Sequence, residues 1–571
     1  MKWSPENFTG FKNEEHDSCG IVSAIEKKRI PTKKNIDDCI DALVKMNHRA
    51  GFINDEGDGV GIHIDIPRAL WKEKLQDKAE LVDNSSFVVG HFFIKKDIDV
   101  EKAKETIQGH FSEANFEILY ESDQVTNSDA LGPMGRREEP CFWQVALIPT
   151  EPIANLSSNL FDLVIEIEKN VNVHVASLSQ YHAVYKVLGA GDILPKFYQD
   201  LANPLVASTM TLGHNRYSTN TLSNFFRVQP FSVIGHNGEI NTIARLRDEA
   251  AMLGVPLVDG ASDSQDLSRT LDFFISKQNY SLFEALEIMF PPIINEIKAF
   301  PEHLQDLYSY IREAWGHFAQ GPAGIISRFG DEAAFSLDSL GLRPLWMIEN
   351  ESSYYFSSEQ GILSSSEFVS EPKPLAPGEK VGLKWKADDT IQVFYHDEVQ
   401  EEVYERMKKR LNVAGSRTRL TTTVEKVKTP HKMKVKVSNN YYAAFGWDRE
   451  HIQMVEQMAE KGVEPIRSLG HDAPLAALDQ GRKNLADFIK ESVAVVTNPA
   501  IDRDREMEHF STRVVVGKRP SPFHNTDFHV VELASPLLVE GSPGELLATE
   551  EQHPSYEQVL EAFKNKGKPI T

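Results

Sequence analysis

The chain has 571 residues, 41% of them hydrophobic and 25% charged, enough for roughly two to four domains with ordinary cores. A net charge of −23 argues against nucleic acid or an anionic membrane as the main partner, and a cysteine inventory of Cys19, Cys39 and Cys141 excludes a disulfide scaffold. There is no C-x-x-C pair to hold zinc or an iron–sulfur cluster, and no apolar run near the roughly eighteen residues that suggest a membrane span.

Residues 1–18 carry Lys2, Glu6, Lys12, Glu14, Glu15 and Asp17 and have no apolar core, so they are not a secretion signal and cytoplasm is the expected compartment. A disordered terminus is the ordinary reading of such a stretch, and a leader removed by cleavage is the functional one. Cys19 follows, where a small polar run meets the strand-like Gly20–Ile25. The ordinary reading is a small buried thiol. A cut at Ser18–Cys19 would change it, because one residue would then hold both a sulfur nucleophile and an α-amine with a pKa of about 8.

Gly59–Ile66, Phe87–Phe93 and Phe142–Ile148 read as further strands. Residues 35–47 read as a helix with Ile36, Cys39, Ile40, Leu43 and Val44 on one face, which makes Cys39 a core residue; Cys141 opens a strand and reads the same way. Long helices are expected at about 157–170 and 264–277, the second started by a Ser262/Gln265 capping box and buried through Leu267, Leu271 and Phe274. Ala323–Arg328 and Ala333–Leu337 read as strands joined at Phe329–Glu332, followed by strands at Leu345–Ile348 and Tyr354–Phe356. Mixed elements with many antiparallel pairings indicate an α+β class.

Residues 406–436 form a basic island in an acidic chain, readable as a solvated connector or as a docking surface for acidic groups of the same or another chain. Within it, 432–437 alternates like an edge strand guarded by lysines. From about 440 a second domain is expected, with Asp448 capping a helix that carries Ile452, Val455 and Met458 and ends at Gly462; Phe488-Ile489 and Val493–Val496 look buried.

Three short segments carry chemistry: Gly213–Thr221, Gly235–Asn241 and Ser262-Asp263-Ser264. Each has an ordinary reading, with Arg216 a surface ion pair, Asn237-Gly238 a hairpin turn and Asp263 a helix first-turn acid. Together they supply what hydrolysis of an α-amino acid amide needs. A guanidinium such as that of Arg216 can grip a carboxylate with two parallel hydrogen bonds. An aspartate such as Asp263 can pair with an ammonium. An Asn side-chain amide and the following Gly N–H, as at Asn237-Gly238, can stabilise a tetrahedral oxyanion, worth about 3–4 kcal/mol for one such donor by precedent.

Cys19-Gly20, Arg216–Thr219, His236–Ile240 and Ser262–Ser264 resemble the class II glutamine amidotransferases, which are N-terminal-nucleophile hydrolases. Asn47–Gly51, Gly57–Gly61, Gly341–Pro344, Ser358–Gly361, Gly470–Leu475 and Val496–Asp502 sharpen the resemblance to the large subunits of glutamate synthases. That resemblance implies a four-layer αββα sandwich over residues 19–400, after a propeptide at 1–18. A basic linker at 401–439 and a smaller α/β central domain at 440–571, complete or partial, would follow. It implies Cys19, Asn237 and Gly238 as catalytic groups, with Arg216, Thr219 and Asp263 holding L-glutamine and Thr219 ordering its loop.

It also implies that ammonia passes to a synthase module acting on 2-oxoglutarate. FMN and an iron–sulfur cluster are expected on that module and none in this chain. The expected partners are that module or subunit and an electron-donating subunit, in an oligomer, without nucleic acid or membrane. The chain reads either as a truncated large subunit or as a separate one. One departure is Arg49-Ala50-Gly51, where the family has Arg-Gly. Two rival readings are an unprocessed non-catalytic scaffold and a glutaminase serving another ammonia acceptor.

Overall fold

The structure is a computed structural model that describes residues 19–53, 56–217, 224–240, 242–258, 260–315, 319, 321–339, 341–420, 423–424, 438–461, 514–533, 538, 551–552 and 555–565. Residues 1–18, Thr219, the expected edge strand at 432–437, Gly462 and the apolar segments at 488–489 and 493–496 lie outside the described residues. The chain divides into two compact units, one of residues 1–418, 500–532 and 563–571, the other of residues 419–499 and 533–562.

The first unit is built on two stacked antiparallel sheets. Seven strands form one, in the order Lys373–Pro374, Trp346–Glu349, Ser353–Ser357, Gly20–Glu26, Met210–Asn215, Val60–Asp65, His182–Val187. Five form the other, in the order Ile234–Gly238, Ala323–Phe329, Glu332–Leu337, Lys380–Trp385, Ile391–Phe394. The period of two explains how one strand serves two layers. Ile21 and Ile25 face the second sheet and pack with Leu212, Ile326, Phe335 and Val381, while Val22 and Ala24 face outward. The rings of Phe335 and Phe356 stack at 3.7 Å across this interface.

Helices cover both outer faces. Lys33–Lys45 lays Ile36, Cys39, Ile40 and Leu43 on the first sheet. On the second sheet lie helices Asp263–Asp272, Leu282–Met289, Glu302–Ala314 and His396–Met407, through Leu267, Leu271, Leu286, Leu307, Ile311 and Val403. The result is the expected αββα sandwich of α+β class. The helix from Asp263 continues through a π-turn at Phe273–Lys277 and buries Phe274 as anticipated.

Two features extend the expectation. The strands Val88–Ile94 and Cys141–Pro149 belong to a third sheet, ordered Phe116–Ser122, Cys141–Pro149, Val88–Ile94, Val173–Ser179, with helices Val100–Glu113 and Leu156–Asn170 packed on it. The helix His396–Met407 crosses the expected boundary at 400 and buries Val399, Val403 and Met407. Part of the basic island is consequently not a solvated connector. Arg406 and Arg410 bind the buried Glu284 at 3.1 and 2.7 Å, and Arg417 binds Glu313 at 3.0 Å.

In the second unit the described residues include helices Asn439–Ala444 and Arg449–Lys461 and a short ladder between Thr423–Val424 and Glu551–Gln552. Asp448 starts the longer helix as expected, its Oδ1 accepting from His451 N at 2.9 Å. Val455 and Met458 on that helix are each 45% exposed.

Candidate active site

Cys19 stands immediately before the Gly20–Glu26 strand, the middle strand of the first sheet. Gly20 pairs with Asn215 of the neighbouring strand, so the chain leaving that strand as Arg216 and Tyr217 passes beside the thiol. The Tyr217 N–H donates to Cys19 Sγ at 3.2 Å. Burial pushes the Cys19 thiol above its ordinary pKa, and the Tyr217 backbone and the guanidinium groups of Arg216 and Arg343 pull part of the way back. A thiol raised in this way keeps its proton at neutral pH and needs a base to become a nucleophile.

Arg216 is buried, and its backbone is fixed by donating to the Gly59 carbonyl at 2.8 Å and accepting from Gly51 N at 2.9 Å. Burial lowers the pKa of its guanidinium, opposed by Asp58, then Cys19, then Asp263. Arg216 is therefore within electrostatic reach of both Cys19 and Asp263. Asp263 is the first residue of its helix, after a Ser262 cap that accepts from Gln265 N at 3.3 Å and is closed by Gln265 Oε1 on Ser262 N at 2.8 Å. The Asp263 carboxylate accepts from Ser264 N at 2.8 Å.

Asn237 and Gly238 end the edge strand of the second sheet and do not form the hairpin turn that Asn-Gly signals. Gly238 has φ +121°, and a Cβ there would meet the Pro322 carbonyl oxygen at 1.7 Å, so only glycine fits. Asn237 is fully buried. Its Nδ2 lies 3.5 Å from Ser358 Oγ, which also accepts from Ile21 N at 3.1 Å. One hydroxyl thus ties the Asn237 amide to the strand that Cys19 begins. The Asn237 Oδ1 is buried without a hydrogen-bond partner among the described residues.

Further contacts lock these pieces together. His236 Nε2 lies 2.7 Å from Ser264 Oγ, joining the Asn237 strand to the Asp263 helix. His214 Nε2 lies 3.1 Å from the His236 carbonyl, joining the two sheets. Arg49 Nε and His48 Nε2 bind Glu359 at 2.5 and 2.6 Å, which brings together two of the segments that carried the family resemblance. The structure places Cys19, Arg216, Asp263, Asn237 and Gly238 at one end of the sandwich; Thr219 falls outside the described residues. The sequence reading missed Asp58, Tyr217, Arg343 and Ser358 as neighbours. All four lay inside quoted segments, Gly57–Gly61, Arg216–Thr219, Gly341–Pro344 and Ser358–Gly361, and that was the available signal.

Among the described residues no group of three or more His, Cys, Asp or Glu side chains converges in a way that could hold a metal. No helix among them is long and apolar enough to cross a membrane.

An αββα sandwich with a thiol before its central strand and an arginine beside it points to a class of enzyme. Residues 19–409 match the glutamine amidotransferases of class II, and the chain belongs to that family. Residues 440–567 match the glutamate synthase central domain. The chain is 32% identical to a chloroplastic ferredoxin-dependent glutamate synthase of Oryza sativa subsp. japonica, across 93% of this chain and 35% of that protein. It is 29% identical to ferredoxin-dependent glutamate synthase 2 of Synechocystis, across 92% of this chain and 36% of that protein. The chain therefore spans about a third of the length of these curated relatives. Among solved structures, a glutamine phosphoribosylpyrophosphate amidotransferase from B. subtilis aligns with 66% of this chain and 49% of its own at 12% identity, with a TM-score of 0.32.

Proposed function

We propose that this chain is the glutaminase part of a glutamate synthase, hydrolysing L-glutamine through Cys19 as an N-terminal nucleophile. The observation that carries this reading is the placement of Cys19. It heads the central strand with Sγ on the Tyr217 N–H and with Arg216 in electrostatic reach, and Arg216 in turn feels Asp263.

The chemistry follows from those positions. Cleavage at Ser18–Cys19 frees the α-amine, removing 1–18 as a propeptide. The amine takes the Sγ proton that burial would otherwise hold in place. The sulfur attacks the γ-carbonyl of glutamine. Asn237 Nδ2 and the Gly238 N–H hold the resulting oxyanion. Collapse breaks the C–N bond, the α-ammonium returns its proton to the leaving nitrogen, and ammonia departs to leave a thioester on Cys19. Water, deprotonated by the α-amine, then releases glutamate and restores the thiol. Arg216 grips the substrate α-carboxylate and Asp263 its α-ammonium, with Thr219 ordering the loop after Arg216.

Residues 19–409, which include the helix through Met407, carry this chemistry, and residues 440–567 supply the central domain. Ammonia passes to a synthase module acting on 2-oxoglutarate. FMN and an iron–sulfur cluster belong to that module, and a ferredoxin, as in the names of the relatives, supplies its electrons.

The test is ammonia release from glutamine. Cys19→Ala abolishes turnover with little change in thermal midpoint, and Cys141→Ala keeps it. Turnover surviving in Cys19→Ala would sink the reading.

A further inference from the structure

A cavity of about 470 Å³ opens at the end of the sheets remote from Cys19, separated from it by the Gly20–Glu26 strand. At about 3.3 Å per residue that strand is roughly 23 Å long, so the cavity and the thiol are distinct sites. The volume falls within the range of small-molecule pockets.

One wall is built to meet negative charge. The helix Arg68–Leu75 begins there without a side-chain cap, because Pro67 occupies the capping position. The first-turn amides of Arg68 and Ala69 therefore have no partner from within the helix, and the macrodipole adds partial positive charge. Arg68 lines the cavity and, among the described residues, donates only to the carbonyls of Val82 and Asn84. Arg328 also lines it and is nearly fully buried, held in place with one guanidinium nitrogen on the Met210 carbonyl and another on Asp65.

The two carboxylates in the lining are already engaged, Asp65 by Arg328 and Asp331 by Arg29. Within the lining the remaining positive charge sits on Arg68, offset in part by Asp83 outside the lining. The lining also carries partly exposed apolar surface, with Tyr181 and Leu205 accessible at 39% and 37%. A cavity that offers both donors and bare apolar surface suits an amphipathic anion.

We propose that this cavity binds a small molecule with an oxyanion head, phosphate or carboxylate, and a flat apolar body. The head sits on Arg68 and the helix N-terminus, and the body lies against Tyr181 and Leu205. The site is independent of the glutaminase reading, since none of its residues takes part in that chemistry.

The test uses phenyl phosphate and benzoate, which share a ring and differ in the head, with phenol as the headless control, titrated into the full chain by ligand-observed NMR. At least one of the two anions binds saturably and at least tenfold tighter than phenol, and the stronger of the two identifies the head. Arg68→Gln weakens that binding at least tenfold. Ala69→Asp, which places a carboxylate where the head should sit while favouring the helix start, abolishes it without lowering the thermal midpoint. Absence of saturable binding by either anion overturns the proposal, as does binding that persists in Ala69→Asp.

Discussion

At the residue scale, the orientation of one amide governs the proposed oxyanion site. The Ser358 hydroxyl already accepts from Ile21 N, so its own proton is free to donate. Asn237 turns Nδ2 toward that hydroxyl and leaves Oδ1 buried without a partner among the described residues. An unmade bond of that kind costs about 1–3 kcal/mol. Exchanging the ends of the amide places Oδ1 on the Ser358 hydroxyl and moves the unmade bond to Nδ2, where an oxyanion would complete it. Ser358 then acts as a positioning residue. Asn237→Ala lowers kcat by roughly a hundredfold with KM little changed, as for loss of one oxyanion donor. Ser358→Ala lowers kcat by less, and adds nothing further in the Asn237→Ala background. Steady-state kinetics of the two single variants and the double variant check this; additive losses, or an effect confined to KM, would return Ser358 to a purely structural role.

At the scale of elements, Glu284 joins the segment after residue 400 to the glutaminase fold. It closes the Ser281 capping box of the Leu282–Met289 helix and takes Arg406 and Arg410 on the same carboxylate. Its side chain is 1% exposed while those of the arginines are each 36% exposed, so water screens only one side of the pair. Glu284→Ala should destabilise the chain by about 3 kcal/mol, the lower end for breaking a buried pair, because the arginines can recover solvent. A urea midpoint indistinguishable from the parent would contradict this.

The sequence marked many of these elements because their signals are local. Gly20–Ile25, the capping box at Ser262 and the hairpin at Phe329–Glu332 follow from period, caps and turn residues. The third sheet was not legible, since its strand order is set by pairing between segments distant in the chain. The Asn237-Gly238 turn signal failed because the Pro322 carbonyl, more than eighty residues later in the chain, imposes the glycine. Asp263 and Arg216 could be singled out as residue types, but Arg216 reaches Cys19 through the pairing of two strands distant in the chain and meets Asp263 only in the folded structure.

At the scale of the whole molecule, the interior holds several neutral histidines, which makes the fold sensitive to acid. Burial lowers His63, further opposed by Arg328, to about 3, and lowers His91 to about 4. Burial lowers His174 to about 4, with Lys186 adding to the effect, and His214 to about 3, with His236 adding. Each binds its proton more weakly when folded than at the unfolded value of about 6.5. Their contribution is therefore complete above about pH 6.5 and declines as pH falls through the folded values toward 3. Glu168 adds to the loss at the acid end: burial alone would raise it, but Arg269 and His174 outweigh that and hold it at about 2. The urea midpoint should be level from pH 8 to about 6.5 and fall steadily below. A midpoint unchanged down to pH 4 would mean these histidines are protonated in the folded state.

The central claim is that Cys19 works with its own α-amine. It is tested most directly by the intact mass of purified chain shown to release ammonia from glutamine. The account predicts a mass lacking Met1–Ser18, with Cys19 as the first residue of the active species. Active protein that retains Met1 through Ser18 would contradict it, because an internal Cys19 has no α-amine to take the proton that burial holds on its sulfur.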